Sequence, residues 1–467
     1  MKLRDALGIR RGEVVAFVGA GGKTSALFRL GHELAAEGWR VLATTTTRMA
    51  AEELRMASST LALGTNGHNA TVKDVWRQLN RYGFVLTYNR VSRGKVIGLA
   101  PNAVEWLIDR VNSDALLIEA DGARRLPFKA PQPHEPVVPD GTTLMVPVAG
   151  VDVIGQPLDE EHVYNPERLN EIYGFALGAP VYAAWVAQAL RHEDIGLRGA
   201  PERARVIPFL NKADDGVMRA RARAVARIAL RTPEEMTPGT PEEGAPAPRI
   251  AAVAIGSARR PDPVWELHQR VGAVVVAAGC STRMGQPKVL LPWDRGTVIE
   301  EIVNRLRGAN LSEIVVVTGH AHERVEAALA GHPVRFAYNP DYAAGEMTSS
   351  VQAGIRALSP ATSACLLVLG DQPLLRGRVI WRVLNAYARG LGRIVAPSYR
   401  KRRGHPVLID KAFWPALLAL GPDGAPRDVV RANADAVHHV VVDTDWVLRD
   451  IDTPEDYERA LRDAGLR

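Results

Sequence analysis

Cysteine is nearly absent: the 467 residues hold only Cys280 and Cys365. Two cysteines without CxxC spacing exclude a disulfide framework and a thiolate metal centre, and they suit the cytoplasm. No apolar run approaches the roughly 20 residues that cross a bilayer, so no membrane partner is expected. The opening MKLRDALGIRRGE lacks the apolar core of a signal peptide. Zinc-finger spacing and RNA-binding aromatic signatures are also missing. The chain is basic, with net charge +6 and pI near 9.4. Its arginines are dispersed, however, and the one dense cluster, YRKRRGHP from Tyr399, is short. That excess suits a small anionic ligand, and no nucleic-acid partner is expected.

What is present is an α/β pattern, written twice. A content of 46% hydrophobic and 24% charged residues is that of a soluble globular protein, and the length predicts two or three domains. In the first half, EVVAFVG, WRVLATT, ALLIEAD, LMVPVAG, ARVIPFLN and RIAAVAIG read as strands. Ser25 to Glu37 and Val217 to Arg231 read as helices between them, which predicts a mostly parallel sheet. Residues 232–248, TPEEMTPGTPEEGAPAP, are too polar and proline-rich to bury a core and read as a flexible insert. The reading gives a first domain over 1–260, a linker over 261–270 and a second domain over 271–467. The second repeats the alternation with GAVVVAAG, EIVVVTG, ACLLVLGD and RIVAPSY as strands.

Each half opens on a glycine loop. In AAGCSTRMGQPK, Ala278, Gly279 and Gly285 let the backbone approach phosphates, and Arg283 and Lys288 supply positive charge. LLVLGDQPLL places Asp371 beyond a strand end, where α/β sheets bind ligands, and DIDTPEDY places Asp450 and Asp452 before a helix. A basic glycine loop with two carboxylate sites predicts a magnesium–nucleotide centre.

The earlier loop, VVAFVGAGGKTS, follows a strand and opens a helix, with Phe17 where the first glycine of GxxxxGK[ST] would stand. Gly19, Gly21 and Gly22 would cradle phosphate, Lys23 would reach the outer phosphates, and Thr24 would hold Mg²⁺. Glu119 and Asp121 end a buried strand as magnesium- or water-positioning carboxylates. Asn211, Lys212 and Asp214 spell NKxD, whose aspartate selects guanine in many GTP-binding proteins. ATP or GTP is the expected ligand.

With AAGCSTRMGQPK, GDQP, RGHPVLI and DIDTPEDY together, residues 270 to 465 resemble the molybdenum-cofactor nucleotidyltransferases of the MocA and MobA type. The AAG opening and PKVLLPW are similar to the cytidylyltransferase branch. The resemblance implies a Rossmann-like, glycosyltransferase-A-type fold. It implies transfer of CMP from CTP, with GTP the alternative donor, to molybdopterin cofactor with release of pyrophosphate. Asp371 and Asp452 would hold Mg²⁺, and Lys288 and Arg283 the triphosphate. Ser349 and Ser350 would touch base or ribose, and His405 would flank the site. Glu346 stands where the family commonly carries glycine. FVGAGGKTS, ATTTTRM, EADGARRLPFKAPQPHEPVVP and VAGVDVIGQPL resemble the YqeC-type accessory family of selenium-dependent molybdenum hydroxylases. That likeness implies a P-loop-like maturation domain and a hydroxylase partner of the xanthine-dehydrogenase kind. A sugar or other small-phosphate nucleotidyltransferase and a non-catalytic delivery chaperone are the alternatives.

Overall fold

The computed structural model describes residues 1–64, 70–231, 249–281, 283–309, 311–344 and 347–467. The insert at 232–248 and Glu346 therefore lie outside the described residues. The described chain forms two compact units, residues 1–231 with 249–268, and Gln269–Arg467. Among the described residues no helix is long and apolar enough to cross a membrane.

The first unit is built on a sheet of β1 (Glu13–Gly19), β2 (Val41–Thr45), β3 (Ser59–Ala62), β4 (Phe84–Tyr88), β5 (Ala115–Glu119), β6 (Leu144–Gly150), β7 (Arg205–Val206), β8 (Phe209–Asn211), β9 (Ala252–Gly256) and β10 (Val264–Gln269). Its order is β10-β9-β8-β6-β1-β5-β2-β4-β3, with β7 beside β6. The central pairs are parallel, and β1 lies between β5 and β6. Alternate residues of β1 enter different cores: Val14 and Val18 pack on one face, Val15 and Phe17 on the other. Such two-sided burial explains why the strands read as continuous apolar runs.

Phe17, the residue that breaks the glycine motif, is fully buried. ARVIPFLN splits into β7 and β8 around Pro208, which has no N–H to give a ladder. Strand β10 falls within the stretch read as a linker, 261–270. Its Glu266 is buried against Arg223 and His268, so the junction shifts to His268–Gln269.

The second unit contains β11 (Val271–Val276), β12 (Glu313–Thr318), β13 (Arg335–Tyr338), β14 (Ala364–Leu369), β15 (Ile394–Tyr399), β16 (Arg402–Arg403), β17 (Val407–Asp410) and β18 (Val437–Val441). The order is β13-β12-β11-β14-β17-β15-β16, with β18 paired to β15. β11 is parallel to β12 and β14, whereas β17 runs antiparallel between β14 and β15. Ala273 and Val275 face one core and Val274 the other. The Thr-Pro-Glu helix start is built as read: Thr453 caps Pro454–Ala464 and exchanges bonds with Asp456.

Close backbone packing makes a stability test at the first loop. Gly21 has φ +82°, and an added Cβ would lie 2.1 Å from the Gly150 nitrogen. Gly21→Ala is expected to cost roughly 2 to 3 kcal/mol, read as an earlier urea transition of the first unit.

Candidate functional site

In the second unit the loop after β11 turns back into a short helical turn at Lys288–Leu290. The Lys288 amide donates to Ser281 Oγ at 3.1 Å, which fixes the lysine at the loop's end. Gly370 follows β14, where an added Cβ would meet the Val276 carbonyl at 2.7 Å and Val289 at 3.3 Å. That close approach brings Asp371 against Lys288. The Ile451 amide donates to the Asp371 carbonyl at 3.1 Å and draws the C-terminal DID segment to the same place. Lys288 Nζ consequently contacts both Asp371 Oδ2 and Asp452 Oδ1, the latter at 3.1 Å. Arg283 donates to Asp452 Oδ2 at 3.1 Å, and Gln372 donates to Asp450 Oδ1 at 2.6 Å.

The electrostatics of this cluster are unbalanced. Burial raises the Asp371 carboxyl above its ordinary range; Lys288 opposes that, and Asp450 adds to it. Asp450 is raised by burial too, against its bond from Gln372. Burial works against the Lys288 charge, but Asp371 and Asp452 outweigh it and hold the ammonium above its usual value. Burial lowers His405, partly offset by the Leu367 backbone and by Asp371.

Three carboxylates thus face one lysine and one arginine, and Asp371 Oδ1 is buried with no hydrogen-bond partner. Hard oxygen donors with an unpaired buried oxygen fit Mg²⁺. No group of three or more His, Cys, Asp or Glu that could hold a metal is assembled among the described residues; Mg²⁺ sites commonly take water and substrate phosphate as further ligands. Around Gly279 and Gly285 an added Cβ would meet nothing within 4 Å, so the space above the loop is open.

Ser349 and Ser350 lie at the start of the helix Met347–Ala357, where the Asn339 side chain donates to both hydroxyls, at 3.0 and 2.9 Å. Ser350 is buried, so its first role is to pin the Asn339 loop. Gly319 packs that loop against Ala278, with Tyr342 and Ala278 both within 3 Å of an added Cβ.

The first unit gathers its predicted residues differently. The helix Lys23–Ala36 starts with no side-chain cap. Thr24 donates to Glu119 Oε2 at 2.9 Å, and Lys23 donates to the Gly19 carbonyl at 2.6 Å while facing Asp121 Oδ1 at 3.1 Å. Gly19, Gly21 and Gly22 all have positive φ and press on protein: on Val148, Gly150 and Asn211 respectively. Asn211 is buried, donates to the Gly21 carbonyl at 2.8 Å and accepts from the Ala258 amide at 2.9 Å. It therefore braces the loop, a role the NKxD pattern alone did not indicate. Lys212 pairs with Asp152 and Asp214 with Arg260, so the carboxylate expected to select guanine already has an ion-pair partner.

Two family models match the chain: YqeC protein over residues 15–167, and MobA-like NTP transferase domain over 273–438. An Escherichia coli (strain K12) protein named uncharacterized protein YqeC is 32% identical over 44% of this chain and 77% of its own length. The molybdenum cofactor cytidylyltransferase of the same organism is 33% identical over 40% of this chain and 93% of its own. Nicotine blue oxidoreductase of Paenarthrobacter nicotinovorans is 31% identical over 41% and 96%. The chain belongs to both families, YqeC in its first half and MobA-like NTP transferases in its second.

Within the transferase half, sequence reasoning passed over Gln372, which orients Asp450. The GDQP motif carried that signal, since Gln372 follows Asp371 directly. Within the YqeC half it passed over Lys129, which lies inside the quoted EADGARRLPFKAPQPHEPVVP. The hydroxyls of Thr44, Thr45 and Thr46 are spent on backbone carbonyls, which makes these three threonines of ATTTTRM structural.

Glu119 yields a pH test. Burial pushes its carboxyl up to about 7, against Lys23 and the Thr24 hydroxyl, from an ordinary 4.5. Between those values the folded chain holds a proton that the unfolded chain releases. Its contribution is complete below the lower value and lost as pH rises through the higher. Relative to Glu119→Gln, the unaltered first unit should lose up to roughly 3 kcal/mol between pH 4 and pH 8. Chemical denaturation of both proteins across that range reads the difference.

Proposed function

We propose that the transferase half joins CMP from CTP to the phosphate of molybdopterin cofactor. The observation that carries this reading is the convergence of Lys288, Asp371 and Asp452 from three distant segments beside an open glycine loop. A phosphate oxygen of the pterin attacks the α-phosphorus of CTP, a new P–O bond forms, the α–β bridging bond breaks, and pyrophosphate leaves. No general base is required, because the attacking phosphate is already ionised. Positioning and charge neutralisation do most of the work. Asp371 and Asp452 would hold Mg²⁺, which would supply positive charge to the triphosphate. With those carboxylates engaged, Lys288 and Arg283 turn to the phosphates, and Gly279 lets the backbone approach them. Asp450, held by Gln372, adds to the negative field that draws the cation in.

Choice of CTP over GTP is supported by the AAG opening and by the relative named a cytidylyltransferase. A relative named an oxidoreductase shares this half at similar identity, so family membership alone does not fix the reaction. The carboxylate–lysine cluster is the chemistry that favours nucleotidyl transfer.

For the YqeC half we infer a P-loop-like site for ATP or GTP at Gly19–Thr24, with Lys23 at the phosphates and Thr24 and Glu119 on the metal side. The uncapped helix start at Lys23 supports it, since free backbone N–H groups there suit an anion. Its role would be to finish the nucleotidylated cofactor or deliver it to a molybdenum hydroxylase. Covalent fusion raises the effective concentration of one site's product for the other.

Mass identification of the dinucleotide formed from molybdopterin, Mg²⁺ and each nucleoside triphosphate tests the donor; a guanine product overturns the cytidylyl reading. Asp371→Asn is expected to lower Mg²⁺-dependent pyrophosphate release by about a hundredfold or more. Turnover near that of the unaltered chain would count against the site.

A further inference from the structure

Lys129 is a second lysine at the first loop, and no role has been given to it above. It ends a two-residue strand, Phe128–Lys129, paired with Val163–Tyr164, and its side chain is 2% exposed. Its ammonium donates to the Gly122 carbonyl at 2.6 Å and meets Glu135 Oε2 at 2.8 Å and Asp121 Oδ2 at 3.0 Å. The Tyr164 ring lies 5.0 Å away. So buried a lysine, with three oxygen partners, stays where it is.

Asp121 is the shared element. Its Oδ2 accepts the Gly19 amide at 3.0 Å and faces Lys129, while its Oδ1 faces Lys23. Both of its oxygens are engaged by cations, whereas Glu119 is the carboxylate that meets Thr24. The two acids therefore have separate tasks: Glu119 on the metal side, Asp121 on the lysine side. When Lys23 swings to a phosphate, Asp121 loses one of its two cations. A buried carboxylate stripped of every partner is costly, but Asp121 retains Lys129.

We propose that Lys129 is a positioning residue of the first nucleotide site: by keeping Asp121 paired, it frees Lys23 to leave that carboxylate for the phosphates of a nucleoside triphosphate. The inference rests on reading Gly19–Thr24 as a nucleotide site. Lys129 itself does not touch the ligand. Its influence passes through Asp121, and this gives the test a signature that a merely structural lysine would lack.

The test is calorimetric titration of the full chain with ATP and with GTP, in Mg²⁺ and in EDTA, in a Lys288→Ala background that disables the second site. Lys129→Met should weaken binding on the order of tenfold or more, because Asp121 then clings to Lys23. Lys129→Arg should keep binding near the reference. Adding Asp121→Asn to Lys129→Met should restore it, since the amide still accepts from Gly19 but no longer holds Lys23. Should Lys129→Met fail to fold by circular dichroism, Asp121→Asn alone decides: a tighter dissociation constant supports the proposal and an unchanged or weaker one overturns it. Unaltered affinity in folded Lys129→Met, or no rescue by Asp121→Asn, sinks the inference and leaves the nucleotide reading intact. Absence of binding by the reference chain sinks both.

Discussion

A buried charge must be shared, and both sites of this chain are organised around that constraint. In the transferase half one lysine, Lys288, serves two carboxylates, and Asp450 stands close by as a third. With Arg283 the cluster holds three acids against two bases. In the YqeC half the sharing is reversed. One carboxylate, Asp121, serves two lysines, and Glu135 balances the second.

The two glycine loops make the same contrast in steric terms. At Gly279 a side chain would enter open space, so packing does not demand glycine there; Gly285 likewise meets nothing within 4 Å, but its φ of +69° by itself favours glycine. At Gly19, Gly21 and Gly22 the backbone is left-handed and pressed on neighbouring strands and on Asn211. There the glycines serve the fold. The loop that departs from the usual phosphate motif at Phe17 is accordingly also the more tightly braced of the two, because Phe17 is a core residue of β1 and the loop starts directly beyond it.

Membership of two families explains why one chain carries two such loops. The MobA-like half aligns along nearly the whole length of the cytidylyltransferase relative, and the YqeC half along about three quarters of the YqeC relative. What the halves share is the placement of charged side chains at the ends of parallel strands, where the backbone turns from sheet to loop and polar groups can gather without burying unpaired peptide groups.

The sequence alone determined the elements whose cause is local. Apolar runs became strands and Thr453 with Pro454 started a helix, although Pro208 split a run that reads as one strand. It also singled out Asp371 from a strand end, Lys288 from a basic glycine loop and Asp452 from the DIDTPEDY segment, patterns visible in one dimension. Less legible were β10, whose Trp265 and His268 interrupt the apolar pattern, and the antiparallel β17 behind the RGHP turn. Partnership was decided only by the tertiary structure. Asn211 turned out to hold Gly21, Asp214 to hold Arg260, and the serines at 349 and 350 to receive Asn339. A side chain's partner depends on which distant segments the sheet order places beside it, and pairs such as Lys288 with Asp452 are brought together by hydrophobic packing that no local pattern records.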